Sequence, residues 1–258
     1  MTALRIPFIL ELARRDYIER YAGSVLGWVW ALIWPLVPLF IYIVIFGKFM
    51  GGRLPGKSGV YAYSIYVSAG LIPWLTFSNS IARGCNIFLE KRDIISKVNV
   101  SLPSLLIFAH LSEILTFVIT MGFFFTFLII SNYDFTHYLY FLPVIFYLQQ
   151  ILAFALGLLT ATLNVFIRDL KEIVGIILQL WFWFTPLVYV TEILPEFVKN
   201  LLVFNPAFIL VESYHRIFVY NSYPQFSSLV ILTIISHGIL LFAYMLFRYL
   251  EKDVRDFL

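Results

Sequence analysis

The sequence predicts an all-α membrane protein: six transmembrane helices, an N-terminal segment lying on the bilayer, a helical cytoplasmic loop and re-entrant pieces outside. Three observations carry this. Hydrophobic residues make up 61% of the 258 and charged residues 13%, where a soluble domain has about 45–50% and about 25%. Six stretches approach the roughly 20 apolar residues that a spanning helix needs. Lysines and arginines are dense in alternate connections. The net charge of +3 is too small to point to nucleic acid, and a lone cysteine, Cys85, excludes an internal disulfide. No series of ten-residue alternating segments suggests a β-barrel.

In chain order, Pro7–Tyr21 is helical in pattern but cannot span. Phe8, Ile9, Leu12 and Ala13 share one side, and Glu11, Arg14 and Arg15 another. This suits either a helix lying among anionic headgroups or an ordinary basic flank. The expected spans are 25–46, 61–82, 104–130, 139–165, 173–190 and 228–247, all in one domain covering 1–258, with 1–24 as the interfacial segment. The 83–103 connection is twice the length of a simple helical turn. It contains Asn86–Lys97, read as a short helix with a charged knot, Glu90 to Asp93, between two apolar patches. Ile87, Phe88, Leu89, Ile94 and Ile95 suit water poorly and predict a partner surface there. Residues 191–227 hold two apolar pieces, Phe197–Phe204 and Ala207–Tyr220, split by Asn205-Pro206. Each is too short to span, so re-entrant or interfacial helices fit.

Charge sets the orientation. The segments before span one, between two and three, between four and five, and after span six hold 4, 4, 2 and 3 Lys/Arg. On the other side are five, Lys48, Arg53, Lys57, Lys199 and Arg216. The positive-inside rule predicts both termini in the cytoplasm, which six spans satisfy. Residues 1–24 are charged throughout, unlike a cleavable signal peptide.

Sites for bond chemistry are not evident. Gly51 to Ser58 matches GxxxxGK[ST], but that motif works between a buried strand and a helix N-terminus, and here a membrane helix precedes it. Gly and Pro for a turn explain it better. Asn99-Val-Ser101 fits a glycosylation acceptor yet falls on the cytoplasmic side. Four scattered histidines and one cysteine have no metal-ligand spacing. His110 and Glu113 lie on one helix face near the start of span three. An acid there must face protein or water, either as an interhelical hydrogen bond or as part of a proton relay. His237 is read as a packing residue. The whole suggests a transport subunit driven by something else.

Four stretches carry a resemblance. They are Asp16 to Trp30 with Arg20-Tyr21-Ala-Gly-Ser24-Val-Leu26-Gly27 and then Pro35 and Pro38; Asn164 to Leu170 with Arg168 and Asp169; Trp183 to Tyr189 with Pro186; and Asn205-Pro206 with Glu212 and Arg216. In order and spacing they resemble the membrane subunit of ABC-2-type polysaccharide exporters, the group of O-antigen, capsule and teichoic acid permeases. Ile167 stands where such permeases often carry an aromatic. The resemblance implies a homodimer paired with two separate ABC ATPase subunits, with ATP and Mg held by those partners and no cofactor, metal or catalytic residue on this chain. It implies a coupling helix at Glu90, Lys91, Arg92 and Asp93, with Arg168 and Asp169 near the same partner, and extracytoplasmic gate helices after span five. The expected substrate is an undecaprenyl-pyrophosphate-linked glycan, most simply an O-antigen, crossing the cytoplasmic (inner) membrane.

For a glycan path, aromatic faces could stack on sugar C–H surfaces, by analogy with other extended polymers. Trp28, Trp30, Trp34 and Tyr42 in span one and Trp181, Trp183 and Tyr189 in span five are candidates, although interfacial belts and lipid-facing surface explain the same rings. Arg14, Arg15 and Arg20 are candidates, by charge, for the lipid-pyrophosphate entrance. Two other readings are an intramembrane transferase on polyprenyl-linked sugars, resting on His110 and Glu113, and a proton-coupled secondary transporter, which predicts repeats and several intramembrane acids.

Overall fold

The computed structural model describes residues 27–41, 61–97 and 101–258, together with Glu11, Arg14, Arg15, Val44 and Ile45. The Gly51–Ser58 motif, Asn99, Arg20 and Tyr42 lie outside these residues, as do the side chains of Trp28 and Trp34. All regular structure in the described residues is helical. A 3-10 turn, Gly27–Val29, leads into α1 (Trp30–Phe40). Then come α2 (Ala62–Glu90), α3 (Arg92–Lys97), α4 (Leu102–Ile130), α5 (Leu142–Asn164), α6 (Leu170–Trp183), α7 (Glu196–Leu202), α8 (Pro206–Phe218) and α9 (Phe226–Phe257).

Among the described residues, three helical stretches are long and apolar enough to cross a membrane: Leu102–Ile130, His137–Asn164 and Phe226–Phe257, with mean hydropathy 2.2, 1.9 and 2.3. The second counts the 3-10 turn His137–Phe141, which runs into α5. α2 has the length of a span but carries Ser64, Ser68, Thr76, Ser80, Arg83 and Asn86 along it. It packs against α4, α5, α6 and α8, which bury most of it. α6 has 14 residues, about 21 Å of rise, too little to cross alone. The chain then turns through Pro186 instead of continuing as helix to residue 190.

The connection after the expected second span differs from the sequence reading. Residues 83–90 continue α2, and the helix breaks at Lys91, so the charged knot straddles a corner between α2 and α3 instead of sitting inside one short helix. The physical reason is packing. Ile87 and Phe88 are fully buried in a second apolar cluster with Leu102, Leu105 and Phe108 of α4, Leu158 and Ala161 of α5, and Ala243, Phe247 and Val254 of α9. The apolar residues expected to form a partner surface are therefore largely covered by the chain itself, with Ile94 and Ile95 packed at its edge.

α2 and α5 cross tightly. A Cβ on Gly84 would lie 3.0 Å from the Gly157 backbone, so the small residues set the approach. Pro73 within α2 has no N–H to donate, and its own carbonyl accepts from Gln149 Nε2 at 3.1 Å. α4 ends with Asn132 at φ 53°, and Tyr133 N–H returns to Leu128 O at 3.0 Å. α8 ends likewise, with Asn221 at φ 48° and Ser222 N–H returned to Arg216 O at 2.9 Å. Both are left-handed caps of the kind asparagine tolerates.

Candidate coupling corner and polar interior

The charged corner sits on an apolar foundation. Glu90, Arg92 and Asp93 are exposed, while Lys91 is half-buried with its ammonium 5.8 Å from the Phe108 ring centre. Beneath them lies the second apolar cluster, which also includes Val165 and the adjoining Phe166 from the turn after α5. That turn carries Arg168 and Asp169, both exposed. Asn164 ties the two connections together, donating from Nδ2 to Cys85 O at 2.9 Å and Asn86 Oδ1 at 3.3 Å. The C-terminal turns of α9 close the same end, with Val254 fully buried and Phe257 5.2 Å edge-on from Phe166. All six residues expected to face an ATPase thus lie at one end of the bundle.

One turn inward a half-buried arginine meets a buried acid. Arg83 Nη1 of α2 reaches Glu113 Oε1 of α4 at 2.8 Å and also donates to Ala109 O at 3.2 Å. The Glu113 side chain is 2% exposed. The sequence left open an interhelical hydrogen bond or a relay; the carboxylate is held across two helices by a cation that reads, from sequence, as loop. His110 is buried beside Phe154, 5.8 Å edge-on.

The aromatic candidates divide. Trp30 is half-buried on α1, which packs on α2 and α4. Trp181 is half-buried in a ring cluster, edge-on to Phe77 at 5.5 Å and Trp74 at 6.2 Å. Its indole N–H donates to Asn205 Oδ1 at 2.7 Å. Trp183 is 56% exposed and lies on an apolar stripe of α6 with Ile173, Ile176, Ile177 and Leu180. Tyr189 donates its hydroxyl to Trp183 O at 2.7 Å, which pins the chain after α6 back on the helix end. Trp181, Trp183 and Tyr189 therefore form one neighbourhood. Of the entrance candidates, Arg14 and Arg15 are helical and exposed, 3.5 and 3.1 Å from Glu11. The Arg15 hydrogen bond holds the Glu11 carboxyl below its usual range.

Away from the corner, a polar interior appears that sequence reasoning missed. Tyr66 is buried and donates to Pro186 O at 3.2 Å and Tyr189 O at 2.8 Å. The ring of His215 stacks on Tyr66 at 3.9 Å and bonds Tyr66 O through Nε2 at 3.0 Å. Tyr214 donates to Gln149 Oε1 at 3.0 Å, and Gln149 in turn donates to Pro73 O. Asn205 caps α8, accepting from Ala207 N–H and Phe208 N–H at 3.0 and 3.3 Å while holding Trp181. The short helix α8 is thereby fastened to α2, α5 and the chain after α6. A signal existed in the adjacent amides Gln149-Gln150 inside an apolar run, since such groups need partners in a bilayer. Beyond this, Tyr133 donates to Asn221 Oδ1 at 3.0 Å, and burial with the neighbouring Asp134 carboxylate pushes its phenol up to about 12.

Among the described residues, no group of three or more His, Cys, Asp and Glu could hold a metal ion. Glu113, the acid on which a transferase reading would rest, is engaged with Arg83.

The chain is similar to the O-antigen export system permease protein RfbA of Myxococcus xanthus, 28% identical over 250 residues that cover 96% of this chain and 94% of the relative. Two proteins of the same name from Klebsiella pneumoniae are each 27% identical, over 250 and 252 residues, covering 94% of this chain and 93% of each. The profile of the ABC-2 type transporter family matches residues 8–219, taking in everything from the N-terminal segment to the end of α8. The chain belongs to the ABC-2 type transporter family.

Proposed function

We propose that this protein is the permease subunit of an ATP-driven exporter that carries a lipid-linked polysaccharide, most simply an O-antigen, across the cytoplasmic membrane. The observation that carries the reading is similarity along almost the whole chain to proteins named as O-antigen export permeases. In this reading six segments span, both termini are cytoplasmic, and the connection after α6 with α7 and α8 enters the membrane from outside. The long polar helix α2, buried by its neighbours, supports an architecture that serves a path rather than a passive anchor.

The subunit works as a homodimer with two ABC ATPase subunits, which supply ATP and Mg. The corner Glu90–Asp93, with Arg168 and Asp169 beside it, is the surface those subunits push. Its charges other than the half-buried Lys91 face solvent, and its apolar base joins the ends of α2, α4, α5 and α9, so displacement there is shared by four helices. Trp30, Trp34, Tyr42, Trp181, Trp183 and Tyr189 contribute to the sugar-facing surface across the dimer, and the apolar stripe of α6 meets lipid or the second subunit. Arg14, Arg15 and Arg20 attract the pyrophosphate at the entrance.

Deletion of the chain in its host tests the reading. The expected result is loss of surface polysaccharide, with polyprenyl-linked glycan accumulating inside the cell and export restored by the wild-type copy. Unchanged surface polysaccharide would overturn it.

A further inference from the structure

Two adjoining cavities, of about 300 and 210 Å³, flank α8 on the side away from the coupling corner. They share Thr191, Phe208, Glu212 and Arg216; Tyr220 lines the larger and Gln225 the smaller. Ligand pockets of small molecules begin at about 300 Å³ and combine an apolar wall with a few converging polar groups. The larger cavity reaches that size, and its wall is mixed, the rings of Phe208 and Tyr220 standing among Thr191, Glu212, Arg216 and Ser222.

The lining follows from the helix. Phe208, Glu212 and Arg216 recur every four residues and form one stripe, half-buried, on a helix whose Ile209, Leu210, Val211, Ser213, Tyr214, His215 and Ile217 are buried against the bundle. Glu212 Oε1 accepts from Arg216 Nε at 3.1 Å, with the two side chains 25% and 34% exposed. A pair of this kind, one turn apart on a helix, stabilises it only slightly, too little to account for keeping two charges against a largely apolar element. The bond does fix the guanidinium plane. Arg216 binds Glu212 through Nε, and no other partner of its guanidinium is seen among the described residues.

Lys199 also lines the smaller cavity, but its ammonium is held by Glu196 Oε1 at 3.0 Å, as Arg216 is held by Glu212, so both cations are paired with carboxylates, which argues against a site for a phosphate or another strong anion. A neutral polyhydroxylated ring suits it better. Vicinal hydroxyls can donate to a carboxylate and accept from a guanidinium edge, and the C–H face of the ring can rest on a phenyl group. The amide of Gln225 and the hydroxyls of Thr191 and Tyr220 add donors and acceptors around the rim.

We infer that this cavity is a subsite for neutral sugar residues of the exported glycan, on the outer side of the permease. The assignment of substrate and side rests on the export reading above. Arg216 and Glu212 hold hydroxyls, and Phe208 supplies the apolar face, so the leading sugars have a place to rest outside the membrane.

The test is saturation-transfer NMR on the permease–ATPase complex in lipid nanodiscs. The probe is lipid-free oligosaccharide released by mild acid from the host's own surface polysaccharide. Wild type is expected to transfer saturation to sugar ring protons. Arg216→Gln and Glu212→Gln should each weaken binding about tenfold, and Phe208→Leu, which keeps an apolar side chain on α8, about threefold. Arg248→Gln, at the far end of α9, should bind as wild type does. No transfer to wild type, or equal transfer to folded Phe208→Leu and Arg216→Gln proteins, would overturn the inference. The deletion strain separates the two levels: if surface polysaccharide is lost on deletion, only the cavity assignment falls, and if it persists, the export reading falls with it.

Discussion

α2 and α4 each have 29 residues, yet they use polarity in opposite ways. α4 has mean hydropathy 2.2 and leaves Leu115, Val118, Phe123, Ile129 and Ile130 exposed, the surface expected of a helix against lipid. α2 distributes serines, a threonine, asparagines and an arginine along its length and is buried by four other helices. In water the more polar of two helices is the outer one. In a bilayer the solvent is apolar, and polar groups gain by facing protein. The difference teaches that hydropathy in this chain ranks exposure to lipid, whereas polar residues mark the interior, among them Arg83 with Glu113 and Gln149 with Tyr214.

Substitutions can break that contrast, and the largest effect is expected at the ion pair. Arg83→Ala removes the guanidinium that meets the buried Glu113 carboxylate, and taking one partner from a buried pair costs about 3–5 kcal/mol in comparable sites. Thermal unfolding in detergent should fall sharply, and the double change Arg83→Ala with Glu113→Gln should recover much of the loss. If Arg83→Ala unfolds like wild type, α2 and α4 are not held by that pair.

Next comes the crossing of α2 with α5. Gly84→Leu places a side chain where a Cβ already meets the Gly157 backbone, and overpacking of this kind costs about 1–3 kcal/mol. A smaller, more local effect is expected at Asn205, which caps α8 and holds Trp181. Asn205→Ala should cost about 1–2 kcal/mol and change the environment of the Trp181 indole, read as altered tryptophan fluorescence. Tyr66→Phe removes one hydroxyl shared between two carbonyls and should cost about 0.6–1.5 kcal/mol. Val118→Ile on the exposed face of α4 should change stability by less than about 0.5 kcal/mol. A large loss there would mean that the face is packed against something other than lipid.

α4, α5 and the part of α9 before Arg248 were legible because they are continuous apolar runs whose composition alone demands helix. The extent of α2 was not. Arg83 read as a loop residue, and Asn86 and Glu90 as part of a separate short helix, until Glu113, Asn164 and the apolar cluster under Phe88 are known, and all of these are distant in sequence. The four exposed or half-buried charges at the corner were visible as a knot, whereas the helix break at Lys91 depends on how α3 packs. The polar interior stayed hidden for the same reason. His215 and Tyr66 are 149 residues apart, and Gln149 and Tyr214 are 65 apart. No periodicity links such pairs, although an amide such as Gln149 in an apolar run signals a partner. The Asn205-Pro206 pair was conspicuous as the split between two apolar pieces, and its roles in capping α8 and holding Trp181 appear only in three dimensions.

The central claim is that the corner between α2 and α3 transmits force from an ATPase to this bundle. Its most direct test is the ATPase activity of the cassette protein that co-purifies with the chain, comparing wild type with Glu90, Lys91, Arg92 and Asp93 all changed to Ala. The account predicts that the wild-type complex hydrolyses ATP in step with glycan export, and that the quadruple change leaves the bundle folded while export stops and hydrolysis no longer responds to substrate. Full export by the quadruple variant, or a chain that never associates with any ATPase, would contradict it.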